Sequence, residues 1–207
     1  MTGHHHRIHR TLVVLLTLAV LARPASGQVD VPSSSSPRWA LFITTGSMMP
    51  TGELHHALRS APLTAAQVLW LPRPRVAVVG TLGWARSRDL VTVGAPKVDA
   101  ITADLGAELR SEARDLGAWG RIGGFVGSGI GMRRYDSRAV DTDASHHVAT
   151  YVAVGTDLTV RRVGLRIELR DYASGFAPLT GAGERTIGND VVVMTSLRLH
   201  RRRTAAQ

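Results

Sequence analysis

Along most of the chain, apolar and polar residues alternate with a period of two. The cleanest run is Asp99 to Arg110. Ile101, Ala103, Leu105, Ala107 and Leu109 share one face, and Thr102, Asp104, Gly106, Glu108 and Arg110 share the other. Residues 163–170 repeat the pattern, with Val163, Leu165, Ile167 and Leu169 against Gly164, Arg166, Glu168 and Arg170. So does the last segment, with Val191, Val193, Thr195, Leu197 and Leu199 against Asp190, Val192, Met194, Ser196, Arg198 and His200. Successive side chains of a strand point to opposite faces, so this alternation predicts strands with one apolar and one polar side. About eight such segments are legible, near 38–49, 62–72, 75–87, 97–110, 117–134, 146–160, 163–174 and 188–200.

The links between them differ in kind. Pro72-Arg73-Pro74 and Arg161-Arg162 are very short. The links at 50–61, 88–96, 135–145 and 175–187 are longer and rich in Gly, Pro, Ser, Asp and Thr, while 111–116 is intermediate. Short turns at one end and longer loops at the other are the layout of a transmembrane β-barrel. The expected architecture is therefore all-β, an eight-stranded antiparallel up-and-down barrel over residues 38–200.

The start of the chain changes where that barrel is expected to work. Residues 1–10 are basic, Thr11 to Ala22 form an apolar run, and Arg23-Pro24 ends it before the small residues Ala25-Ser26-Gly27. This is the order of a secretory signal peptide, expected over 1–27 with cleavage between Gly27 and Gln28. A dozen residues are too few to span a bilayer as a helix, which takes about 20. Residues 28–37, with Val31 to Pro37 reading VPSSSSP, form a polar leader without core-forming potential. No later segment approaches 18 apolar residues free of charge. A mature chain in the membrane would thus have to be a closed barrel, because lipid satisfies no open strand edge.

Alternation alone does not say which face points inward. A soluble barrel buries its apolar face, and a membrane barrel buries its polar one. The export signal favours the second. So do Gly123, Gly127, Gly129 and Gly131, which alternate with Ile122, Val126, Ile130 and Met132. An eight-stranded interior is just wide enough for side chains, and long Arg and Glu side chains need glycines opposite them.

Composition narrows the chemistry. The 207 residues contain no Cys, which excludes disulfides, thiol catalysis and thiolate-bound metal. The formal net charge is +9. Beyond residue 27 the excess is smaller, and most of it is Arg scattered singly through the alternating segments. Arg201-Arg202-Arg203 is the one compact basic run, in an expected basic tail over 201–207. It is read as a rim feature, without a nucleic-acid partner.

In the membrane sense, Asp104, Glu108, Asp157, Glu168 and Asp190 would share the lumen with Arg110, Arg121, Arg166, Arg170 and Arg198, paired as a structural plug. Trp39, Trp70, Trp84 and Trp119, with Tyr135 and Tyr172, fall near strand ends and are expected at the lipid interfaces. His55-His56 and His146-His147 would lie at the extracellular mouth. Ser145 beside His146 is no catalytic pair, because neighbours on a strand face opposite ways.

Several phrases carry a resemblance. Gly46-Ser47-Met48-Met49-Pro50-Thr51-Gly52-Glu53-Leu54 resembles a first outer loop, and Gly123 to Gly131 (GGFVGSGIG) a glycine-rich central strand. Gly164 to Tyr172 (GLRIELRDY), followed by a loop and Asn189-Asp190, resembles a penultimate strand. Over residues 38 to about 200 the chain resembles the small outer-membrane β-barrel proteins of the OmpA/OmpX-like class. The resemblance implies a bacterial outer-membrane location, with lipid and the barrel-assembly machinery as partners. It departs from the class in one respect: the last strand closes Leu197-Arg198-Leu199-His200, without a terminal aromatic.

The expectation is a monomeric barrel of structural or surface-interaction role, in envelope integrity or adhesion through its loops. It would have no wide pore, no enzymatic activity, and neither metal nor cofactor. The alternatives are a soluble periplasmic ligand-binding β-barrel and a lipid-modifying outer-membrane enzyme.

Overall fold

The computed structural model describes residues 39–52, 54–90, 94–137, 145–161, 163–176 and 186–199. The expected signal peptide with its Gly27–Gln28 junction, the polar leader and the basic tail lie outside the described residues.

Eight long antiparallel strands close into a ring. They are β1 (Trp39–Thr51), β2 (Ala61–Arg73), β3 (Val76–Arg88), β4 (Lys97–Arg110), β6 (Arg121–Ser137), β7 (Ser145–Val160), β8 (Val163–Phe176) and β9 (Thr186–Leu199). The two-residue β5 (Arg114–Asp115) is an annex on the start of β6. Each long strand pairs with its neighbour in sequence, and β1 pairs with β9 to seal the barrel. Every such pairing is antiparallel, so the topology is up-and-down. A one-turn helix, Leu54–Ala57, sits in the first long connection. No helix among the described residues is long and apolar enough to cross a membrane.

The two ends of the barrel differ. At the turn end, β2 passes to β3 through Pro74-Arg75, with a register irregularity between Trp70 and Arg73. There β7 passes to β8 through a turn that holds Arg161 at φ 52°. The other end carries the connections between β1 and β2, β3 and β4, β6 and β7, and β8 and β9. It is called the loop end below.

One expected strand starts later than its pattern suggests. The alternation places the fifth segment from residue 117, but β6 begins at Arg121. Gly117 and Gly120 adopt φ of 64° and 101°, in the left-handed region that glycine tolerates. They hold a 3-10 turn over Gly117–Trp119, closed by the Leu116 N–H donating to the Gly120 carbonyl at 2.7 Å.

The polarity is inside out. Arg133, Arg166, Arg170, Glu168 and Asp190 are at most 1% exposed. By contrast Leu41, Ile43, Leu82, Leu105, Leu109, Ile130 and Val148 project outward at 59–74% exposure. Apolar side chains also line parts of the interior. Met48, Leu63, Val98, Tyr135, Val192 and Met194 belong to one buried cluster, with Leu58 of the first connection. Phe42, Leu69, Ala77 and Val79 belong to a second.

Candidate functional site: the charged lumen

The inward parity of β4 and β8 sets the centre of the barrel. Asp104 and Glu108 face inward from β4, and Arg166, Glu168, Arg170 and Tyr172 from β8. Glu168 lies between two guanidinium groups. Arg166 Nε donates to its Oε2 at 3.0 Å, and Arg170 Nε donates to its Oε1 at 2.5 Å. Gln67 Nε2 donates to Oε2 as well, at 3.1 Å. Arg166 also forms a two-pronged contact with Glu108, through Nη1 to Oε2 at 3.3 Å and Nη2 to Oε1. Planar fork-to-carboxylate geometry of this kind is among the strongest side-chain hydrogen bonding available.

The ladder runs on in both directions. Towards the turn end, Arg110 donates to Glu108 at 3.1 Å and to Asp157. Towards the loop end, Arg170 Nη1 donates to Asp104 Oδ2 at 3.1 Å, and the Tyr172 hydroxyl donates to the same oxygen at 2.6 Å. Arg170 Nη2 reaches the Thr81 hydroxyl at 3.0 Å. Arg133 lies over the Tyr172 ring, 4.0 Å from its centroid, and donates to Asp190 Oδ2 at 2.5 Å. Thr44, Ser196 and Gln67 form a neutral hydroxyl–amide branch beside Glu168.

Aromatic rings pack against the arginines. The guanidinium of Arg166 sits 3.7 Å from the Phe125 centroid, and that of Arg170 sits 4.6 Å from the Tyr151 centroid. Such stacking leaves the in-plane N–H groups free for carboxylates. The rings fit because glycines face them. A Cβ at Gly155 would meet the Phe125 ring, and one at Gly106 or Gly129 would meet Tyr151. A small internal cavity lined by Met48, Thr81, Thr102, Asp104, Arg133 and Tyr172 lies beside the ladder. Asp104 Oδ1 and Arg133 Nε have no hydrogen-bond partner there among the described residues.

Eight of the ten residues expected in the lumen network are joined in this ladder: Asp104, Glu108, Arg110, Asp157, Arg166, Glu168, Arg170 and Asp190. Two depart. Arg121 has inward parity but stands exposed at the turn-end start of β6, beyond the enclosed interior. Arg198 points into the barrel, 5.7 Å from the Phe42 centroid, yet no ion pair to it is found among the described residues, and its Nε lacks a partner. Arg133, the partner of Asp190, was not expected. The signal was present, since residue 133 continues the inward parity of Gly127, Gly129 and Gly131.

The aromatics divide as well. Trp39 and Trp70 are cross-strand neighbours, stacked at 5.7 Å on the outer surface near the turn end. Trp84 lies on the outer surface towards the loop end, under the Arg86 guanidinium at 4.8 Å. Trp119 is 79% exposed on the 3-10 turn. Tyr135 and Tyr172 are not interface residues. They are 2% and 3% exposed and face the interior, because their position on the strand has inward parity. His146 faces outward and His147 inward, while His55 and His56 stand exposed on the short helix. Among the described residues, no three His, Cys, Asp or Glu side chains gather as a metal site.

No protein-family model and no curated protein matches the sequence. Solved structures do match the fold. Neisserial surface protein A (NspA) aligns at a TM-score of 0.58 and 9% identity, over 78% of this chain and 96% of that one. The N-terminal β-barrel domain of Pseudomonas aeruginosa OprF aligns at 0.48 and 9% identity, over 78% and 98%. The attachment invasion locus protein Ail of Yersinia pestis aligns at 0.46 and 8% identity, over 78% and 96%. At such identity the likeness to NspA concerns architecture: the chain has the fold of a small eight-stranded outer-membrane-type β-barrel.

Proposed function

We propose that the mature chain is a bacterial outer-membrane barrel with a structural or surface-interaction role, its turn end in the periplasm and its loop end outside, and its lumen closed to solutes. The observation that carries this reading is the inverted polarity. Ionised groups occupy the interior while Leu, Ile, Val, Met and Trp cover the outside. A soluble ligand-binding barrel needs the opposite arrangement, since an apolar belt in water is a strong association hazard. In lipid the same belt is solvated, and every backbone group of a closed sheet is paired.

The ladder supports the closed lumen. Arg166 and Arg170 span the interior between carboxylates and rings, so an eight-stranded barrel filled this way leaves no wide path. Function then rests on the loops, on the outer surface and on the stability of the barrel. Lipid and the assembly machinery are the partners this requires.

Fractionation tests the membrane reading. The protein should require detergent for extraction and migrate faster on a gel unheated than boiled, as a detergent-stable barrel does. Recovery in the soluble fraction without detergent would overturn it. Liposomes carrying the refolded barrel should retain small sugars and ions, and leakage above that of empty liposomes would refute the closed lumen.

A further inference from the structure

Among the described residues, the outer surface near the loop end carries cations on one side only. On β3, β4, β6 and β7 the outward residues there include Arg86, Arg88, Lys97, Arg134 and His146. On β8, β9 and β1, among the described residues, the outward positions near that end are Asp171, Asn189, Val191, Ser47 and Met49, without a cation.

Within the basic side, the carboxylates are already engaged. Asp99 accepts from Arg86 Nε at 2.9 Å, and Asp136 pairs with Arg134 at 3.6 Å. Three cations remain without an ion pair among the described residues: Arg59, Arg88 and Lys97. The register places Arg88 directly opposite Lys97, and the Arg59 N–H donates to the Arg88 carbonyl at 3.1 Å, which brings all three together. All are exposed. Like charges directly opposite on a sheet repel, so an anion over this cluster would relieve that repulsion. Immediately towards the middle of the barrel lie the outward apolar residues Trp84, Ile101, Leu82 and Met132. Cations above an apolar wall match a ligand with phosphates at its head and acyl chains below.

We propose that Arg59, Arg88 and Lys97 form a binding surface for the phosphate groups of an outer-leaflet phosphorylated glycolipid of the lipid A kind. This rests on the outer-membrane reading, which puts the loop end at the outer leaflet. Basic side chains near an anionic headgroup layer are drawn to it. Three together therefore act as a selective seat, while the side without a cation among the described residues does not.

The test is titration of the refolded full-length mature barrel in neutral detergent with bisphosphorylated lipid A, with the same lipid stripped of phosphate, and with phosphatidylglycerol. Lipid A should bind at least about tenfold more tightly than the other two. The triple variant Arg59→Gln, Arg88→Gln, Lys97→Gln should lose at least about tenfold of that affinity. Neutralising Arg114, Arg121 and Arg161 at the turn end should leave it unchanged. Unaltered binding by the loop-end triple, or equal binding of phosphatidylglycerol, would overturn the proposal. Gel heat-modifiability checks folding. Should the triple variant fail it, Lys97→Glu alone probes the same contact, and undiminished lipid A binding there would also refute the proposal. Fractionation is read separately, so a barrel that extracts as an integral protein but ignores lipid A sinks this inference and leaves the outer-membrane reading standing.

Discussion

At the scale of single residues, the interior holds charges whose removal one at a time is costly. Arg166 bonds both Glu108 and Glu168 and is fully buried. Arg166→Leu leaves two carboxylates facing each other, and a broken buried pair costs about 3–5 kcal/mol. Urea unfolding of the refolded variant should give an unfolding free energy lower by that amount. Asp190 and Arg133 offer the complementary case. Asp190→Leu alone strands the Arg133 cation, whereas Asp190→Leu with Arg133→Leu removes both charges. The double variant should recover most of the loss, and failure to recover would show that Arg133 is held chiefly by Tyr172 and Met48. The glycines impose a steric limit at the same scale. Gly155→Val drives a side chain into Phe125, the ring under Arg166, and should abolish the heat-modifiable form.

Much of this residue-level picture is legible in the sequence. The polar face of β4 and β8 reads directly from alternation, and Asp104, Glu108, Arg166, Glu168 and Arg170 follow from it. What alternation misses is depth along the strand. Arg121 has the right parity and the wrong height, so it reaches solvent. Tyr135 and Tyr172 stand near strand ends like the tryptophans, but they share the parity of Arg133 and Arg170, which turns them inward. Arg133 was hidden because glycine-rich β6 reads as a spacer strand.

At the scale of elements, each strand presents its apolar row outwards, and position on that row decides what a substitution does. Leu105 lies midway along β4 and Leu82 along β3, on the outward face. In a bilayer, Leu105→Arg should cost about 2–4 kcal/mol, while a charge close to the interface costs about 0–1. Unfolding free energies in lipid vesicles for Leu105→Arg and Val76→Arg, the latter at the turn-end start of β3, should differ in that order. Equal costs would argue that the two sites share one environment. The link between β4 and β6 is the element whose form the sequence concealed. Its alternation runs through residues 117–119, but Gly117 and Gly120 stop the strand and raise a turn with Leu116 and Trp119 exposed. Glycine in a glycine-rich segment is ambiguous, because the same residue type gives room inside a barrel and a reversal at its edge.

At the scale of the whole molecule, eight strands and an alternating link length were legible, as was closure, since a membrane sheet tolerates no edge. Which face points inward was not legible from the period alone, because both senses produce it; the export signal and the glycines of the fifth segment favour a polar interior. The structure buries the charged face and turns the apolar one outward. The ladder also makes the barrel one mechanical body, since its links join β2, β3, β4, β6, β7, β8 and β9 across the lumen. Denaturation followed by tryptophan emission and by gel mobility should therefore give coincident transitions. Separated midpoints would mean that one side of the barrel opens first.

The seam between β1 and β9 has a kinetic consequence. Ile43 faces Leu197 and Thr51 faces Asn189, so the contacts that complete the ring join the two extremes of the strand order. Every other neighbouring pair of long strands is a hairpin that can form as soon as its two strands exist. The ring itself cannot shut until the last strand arrives, and non-local pairing of this sort makes folding slow. Until then β1 offers a free edge to any other chain, so crowding during biogenesis should favour exchange of β9 between copies. A chain whose β9 is weakened, for example by Val193→Pro, should close its ring more slowly, read as delayed appearance of the heat-modifiable form on the gel.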